Sequence, residues 1–212
     1  MKTIPIKVLE QVAGSLSRPS KMPGYGYGLP ALTSCRVGTA LAAVEGSVCA
    51  SCYACKGHYT LENVEKAQKF RMKTINNPSW VSAMVAMIGS KKIKHFRWHD
   101  SGDLLHVKHM AKICEVCAQL PDFHFWLPTQ ERLIIKEFLD GGGVIPENLI
   151  VRLSTPMIDD APHTISGLPT SSVHKDKPPH GYPCPAHVQG NKCGECRACW
   201  NKDIPNVSYE YH

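Results

Sequence analysis

Ile93-Lys94-His95-Phe96-Arg97-Trp98-His99 runs directly into Asp100-Ser101-Gly102-Asp103. The first seven residues are rich in aromatic and β-branched types and read as a strand. The next four are short, polar and flexible, and read as the turn that ends it. Helical spacing flanks this strand on both sides. Thr60 stands where an N-cap belongs for a helix reaching about Ile75, and Asn77-Pro78 supplies the cap and first-turn proline of another. That second helix carries the apolar stripe Val81, Met84, Val85, Ile88. Downstream, a helix is expected from about His106 to Gln119, a strand from Phe123 to Leu127, and a helix from Glu131 to Leu139. A third strand, Leu149 to Leu153, follows the break at Gly141-Gly142-Gly143. This alternation predicts an α/β fold with a parallel sheet, open or curled into a partial (βα) barrel. Ligands of either arrangement collect at the C-terminal ends of the strands. Here those ends are His99-Asp100-Ser101-Gly102-Asp103, Pro128-Thr129-Gln130 and Ser154-Thr155.

Outside this regular part the pattern weakens. Thr3 to Leu9 alternates like a strand, and Pro23-Gly24-Tyr25-Gly26-Tyr27-Gly28-Leu29-Pro30 reads as a loop lying close in sequence to the first cysteines. Residues 1–155 are expected to form the α/β core with an N-terminal cysteine group. Residues 156–212 are expected to be a loop-rich, cysteine-containing C-terminal appendage.

The chain has 212 residues, 43% hydrophobic and 20% charged, an ordinary globular balance. Its net charge of +6 is not concentrated in any run of five like charges, so the charge does not by itself point to nucleic acid. Met1 to Val8 lacks the apolar stretch of a signal peptide, and Trp80 to Ile88 is too short to span a bilayer, so no membrane partner is expected. Ten cysteines in such a chain read as metal or redox groups before disulfides.

Eight of the ten fall into two groups of one design. Cys35 precedes Cys49-Ala50-Ser51-Cys52-Tyr53-Ala54-Cys55, and Cys184-Pro185 precedes Cys193-Gly194-Glu195-Cys196-Arg197-Ala198-Cys199. An outlying cysteine plus a C-x2-C-x2-C run is the ligation pattern of a 4Fe–4S cluster, with one or two clusters expected. Zinc is the alternative metal, although all-cysteine zinc sites usually arrive as two C-x2-4-C pairs. His187 beside Cys184 offers zinc a further ligand. Cys114 and Cys117 continue the apolar face Val107, Met110, Ala111 of their helix and read as core residues. His99 and Asp100 read equally as an acid/base pair or as a buried structural pair. The basic run Lys66, Lys69, Arg71, Lys73, diluted by Glu62 and Glu65, reads as a solvated helix face.

Four segments carry a family resemblance: Leu29-Pro30-Ala31 with Ser34-Cys35, Cys52-Tyr53-Ala54 with Lys56-Gly57, Arg97 to Asp103, and Cys193 to Trp200. Together they resemble the phage gene product 88-like family, across nearly the whole chain. The resemblance implies a viral gene expressed in a bacterial host cytoplasm; a host or phage protein or a small molecule is the expected partner on the reading of the site. The layout is also distantly similar to radical S-adenosylmethionine enzymes. That likeness implies a partial barrel whose cysteine triplet holds a cluster with one open iron, and an acidic glycine motif that takes the cofactor's ammonium group. Ser101, Gly102 and Asp103, with Asp100 and His99, stand at the matching place, while the triplet spacing is C-x2-C-x2-C where those enzymes have C-x3-C-x2-C. Three cysteine ligands at the first group would leave an open iron for S-adenosylmethionine; four, with Cys35, would close it.

Overall fold

A computed structural model describes residues 4–211. Helices α1 (Ile6–Ala13), α2 (Arg36–Ala42), α3 (Glu62–Thr74), α4 (Trp80–Gly89), α5 (Val107–Ala118) and α6 (Arg132–Asp140) alternate with seven strands. The strands are β1 (Tyr25–Tyr27), β2 (His95–Trp98), β3 (His124–Thr129), β4 (Leu149–Ser154), β5 (Thr170–His174), β6 (Tyr182–Pro183) and β7 (Asn206–Glu210). They lie in the order β1-β2-β3-β4-β5-β7-β6, and every neighbouring pair is parallel. The α/β architecture is therefore as expected. The sheet is not closed: β1 and β6 stand at opposite edges.

Sequential parallel strands joined by right-handed crossovers place their helices on a single face. That face carries Phe96, Trp98, Phe125, Leu127, Val151 and Leu153, the even-spaced residues of β2 to β4, packed with α1, α4, α5 and α6. Trp98 is the hub, with ring centroids 4.9 Å from Phe96, 6.0 Å from Trp80 and 6.1 Å from Tyr27. Each side chain this large contributes up to about 3 kcal/mol by leaving water. Cys114 and Cys117 lie in this core, where burial pushes their thiols upward, that of Cys114 to about 12.

The odd-spaced residues Arg97, Trp126 and Arg152 point to the opposite face. A second, smaller cluster covers it, built on Trp126, Ala198, Cys199, Trp200 and Val207. One face is thus closed by helices and the other by the C-terminal cysteine segment.

Several expectations are corrected in detail. Ile6 to Leu9, read as part of a strand over 3–9, belong to α1; Ile6 and Val8 are exposed while Leu9 and Ala13, four apart, are buried. Thr3 lies outside the described residues. Thr60 does not cap α3; its hydroxyl donates to Gly57 O (2.9 Å), and α3 begins after Leu61. The helix after Asn77 starts at Trp80, two residues beyond Pro78, and just before it Ser79 N donates to Asn77 Oδ1 at 2.9 Å. The Gly/Tyr loop holds β1, whose Tyr27 is fully buried and donates to Ala13 O at 2.6 Å. The loop-rich C-terminal stretch supplies β5 to β7. Their interior is polar: Thr170 and Ser172 bond Asn206, and Ser172 bonds Ser208. Among the described residues no helix is long and apolar enough to cross a membrane.

Candidate functional site

The first cysteine group lies over the C-terminal ends of β2, β3 and β4. Cys35 is the residue before α2, and the α2 entrance is tied to the β3 end by Val37 N donating to Glu131 Oε1 (2.8 Å). Val48 N donates to Pro156 O and Ile158 N to Gly46 O, each at 2.9 Å, which fastens the triplet loop to the β4 end. Tyr53 OH donates to Asp100 O at 2.7 Å, which fastens it to the β2 end.

The outlying cysteine is folded back onto the triplet. A Cβ built on Gly38 would stand 2.9 Å from Cys35 Cβ, 3.8 Å from Cys35 Sγ and 3.6 Å from Cys49 Sγ. Burial, then the nearby Asp103 charge, pushes the Cys35 thiol up to about 12; burial, then Cys52, pushes Cys49 up to about 11. Cys55 is raised by burial and then by Cys52. These thiols resist ionisation chiefly because they are buried, and neighbouring negative charge adds to the penalty. A bound cation removes that penalty and releases the protons.

The second group is gathered on the covered sheet face. Cys184 N donates to Ser208 O (2.8 Å) just past β6, and Cys193 N to Lys21 O (2.8 Å). Cys199 Sγ lies 3.2 Å from Tyr209 OH, and Cys196 Sγ lies 3.6 Å from Tyr182 OH. Burial raises the Cys184, Cys193 and Cys199 thiols, the last to about 12. Cys184 lies within electrostatic reach of Cys193, Cys196 and Cys199. Arg152, fully buried in β4, fixes the segment. Its five N–H groups reach Cys199 O, Ala198 O, Asn201 O, Ile204 O and Thr170 O at 2.7–3.1 Å.

Both groups fit a thiolate-bound cluster in donor chemistry and grouping, and Gly38 leaves room where a side chain would intrude. Among the described residues no three His, Cys, Asp or Glu side chains are already drawn together as ligands of a single ion. Either zinc or a cluster would draw the thiols closer together. His187 lies with Nε2 3.3 Å from Glu210 Oε2 and Nδ1 3.2 Å from Cys184 O.

The strand-end residues are mostly engaged with one another. His99 has a left-handed backbone (φ +52°), is 2% exposed, and neither ring nitrogen has a hydrogen-bond partner; its Nδ1 is 4.0 Å from Asp103 Oδ1. Burial, then Arg97, holds His99 down at about 3. Asp103 accepts from Thr129 Oγ1 (2.6 Å), Leu104 N (2.8 Å) and Gln130 N (2.8 Å), and burial still pushes it up to about 7. Ser101 Oγ donates to Leu29 O and accepts from Gln68 Nε2, both at 2.8 Å. Gly102 (φ +73°) is obligatory, since a Cβ there would meet Ser34 Oγ at 2.4 Å. The Asp100 carboxylate faces Ser17 and Tyr59 hydroxyls at 3.3 and 3.4 Å.

Three neighbours of the cysteine groups were not singled out as site residues in the sequence: Arg97, Arg152 and Tyr209. The available signal was period-2 spacing, because Arg97 and Arg152 sit between core residues and must face the other side of the sheet.

The fold and site define a class: an open, parallel α/β protein whose loops gather two sets of four cysteines. A model of the family described as gene product 88 matches residues 6–202. The chain belongs to that phage gene-product family. No curated protein and no solved structure shows significant similarity to it.

Proposed function

We propose that the protein is a phage-encoded iron–sulfur protein holding one 4Fe–4S cluster in each cysteine group. The observation that carries this reading is that each outlying cysteine, Cys35 and Cys184, is folded back to its own C-x2-C-x2-C triplet. Cys35, Cys49, Cys52 and Cys55 would hold the first cluster; Cys184, Cys193, Cys196 and Cys199 would hold the second. Such clusters supply one-electron transfer when bound. The protein residues position them, exclude water from Cys199, and set the charge around them. Four thiols at the first group favour a closed cluster, hence electron transfer or redox sensing with a host or phage partner in the host cytoplasm.

The test is purification without oxygen, followed by iron, sulfide and zinc analysis. Brown protein with two clusters' worth of iron and sulfide is expected. Colourless protein with stoichiometric zinc would overturn the reading.

A second reading, radical chemistry with S-adenosylmethionine in a barrel-like site, draws support from one observation. The first group stands over the C-terminal strand ends beside Asp100 and Asp103. It requires one thiol to stay off the cluster. Methionine and 5′-deoxyadenosine released on reduction with S-adenosylmethionine would establish it.

A further inference from the structure

Arg97 stands between neighbours of the two cysteine groups. Its guanidinium lies 4.4 Å over the Trp126 ring, and Trp126 packs edge-on against Trp200, the residue after Cys199, at 5.2 Å. On the other side, its Nη2 donates to Tyr53 OH at 3.1 Å, and Tyr53 follows Cys52. Its Nε is buried without a hydrogen-bond partner. Cys193 and Cys199 both lie within electrostatic reach of Arg97. Tyr209 hydrogen-bonds Cys199 and also lies within reach of that charge. A second strut joins the two regions, Tyr211 OH donating to Ser51 Oγ at 3.2 Å.

Arg97 is half-buried, and its Nε is shut off from solvent without an acceptor, so aromatic stacking alone does not satisfy the cation. Burying a cation is costly unless anions lie near it. Asp100 supplies one such charge. A cluster bound by four thiolates is a net anion, and a guanidinium in reach of Cys193 and Cys199 and hydrogen-bonded to Tyr53 beside Cys52 is placed to offset both.

We propose that Arg97 is a positioning cation shared by the two clusters, which it binds into one electrostatically coupled redox unit. The proposal rests on the iron–sulfur reading of both groups. A nearby fixed cation favours the more reduced, more negative state of each cluster. Removing it therefore shifts both midpoint potentials in the negative direction.

The test uses the full chain loaded with iron and sulfide anaerobically, titrated with dithionite and followed by EPR. Fully reduced wild-type protein is expected to show spin–spin interaction, meaning splitting or broadening absent from Cys52→Ala and Cys196→Ala single-cluster references. R97Q is expected to keep wild-type iron and sulfide and to move both potentials negative. R97M, which keeps an apolar stem on Trp126, gives the same readout should R97Q fail to load. A wild-type spectrum equal to the sum of the two references overturns the proposal. A potential shift at one cluster only, or at neither, also overturns it. Wild-type protein that takes up no iron instead defeats the iron–sulfur reading itself, so the two failures are distinct.

Discussion

Gly38 sits inside α2, where alanine is ordinarily preferred to glycine by about 1 kcal/mol. Here the close approach of Cys35 reverses that preference. A Cβ would meet Cys35 Cβ at 2.9 Å, nearer than ordinary contact, so Gly38→Ala should displace Cys35, lower the stability of the metal-free protein and cost the first group its iron. Iron per chain near half the wild-type value, with a lower urea midpoint for the stripped protein, is the expected pair of results; full iron content would show that the cradle tolerates a methyl. His99 makes a different demand, on pH. Its imidazole is held at about 3 by burial, below the ordinary value near 6.5. Below about pH 6.5 the unfolded chain therefore binds a proton that the folded chain refuses, and stability falls as pH drops toward 3. Asp103 works in the opposite direction. Raised to about 7, it is protonated in the folded chain between pH 4 and 7, and its contribution is lost as pH rises through 7. The difference between variant and parent isolates the histidine. His99→Asn, which suits the left-handed backbone, should lose less stability between pH 6.5 and 4 than the wild type, by on the order of a few kcal/mol. Parallel stability curves for the two proteins over that interval would contradict this.

Among the elements, β4 does two tasks. Its Val151 and Leu153 enter the helical core while Arg152, on the other face, holds five carbonyls around Cys199. Lysine has three donors and no planar fork, so Arg152→Lys and Arg152→Met should both strand buried carbonyls. The expected cost is roughly 3–5 kcal/mol in urea unfolding, with iron lost from the second group alone; an Arg152→Lys protein of wild-type stability would refute the clamp. The same double face explains what the sequence disclosed. The core of β2 to β4 and helices α4 to α6 were legible because aromatic and aliphatic residues recur at spacings of two and of three to four; α3 instead buries Gln68, Arg71 and Thr74, so Arg71 leaves the solvated basic face expected of that helix. Both cysteine groups were legible because their C-x2-C-x2-C spacing is local. β5 and β7 were not, since Thr170-Ser171-Ser172 and Asn206 to Ser208 bury hydroxyls and an amide that satisfy one another across strands, a pairing invisible until register is known. β1 was hidden by its brevity and by Gly26, and α1 by an Ile6/Val8 alternation that proves to lie on its exposed side. The strand-end loop was found but its role was not, because Asp103 spends its carboxylate on Thr129, Leu104 and Gln130.

Across the whole molecule the two faces of the sheet are stabilised by different means. The helical face buries an extensive apolar core that includes none of the eight grouped cysteines, whereas the opposite face is closed by a small cluster in which Cys184, Cys196 and Cys199 are themselves packing residues. Around Cys184 to Trp200 the backbone has only short helical turns, at Pro185–Gln189 and Ala198–Trp200, to support it. Metal bound there would therefore be folding free energy for that face and not for the other. Removing the metal anaerobically with a chelator should leave the far-UV circular dichroism nearly unchanged, since the six helices do not depend on it. The uncovered Trp126 and Val207 should then bind a hydrophobic dye, and a protease should cut between residues 184 and 200. Cleavage follows the population of the open segment when closing is fast, so loss of ~1.4 kcal/mol of local stability accelerates it about tenfold. An acceleration of at least that size, reversed by reconstitution with iron and sulfide, is expected. Equal cleavage rates for the loaded and stripped proteins would mean that Arg152 and the tryptophans hold the segment unaided, and that the second metal serves electron transfer without serving the fold.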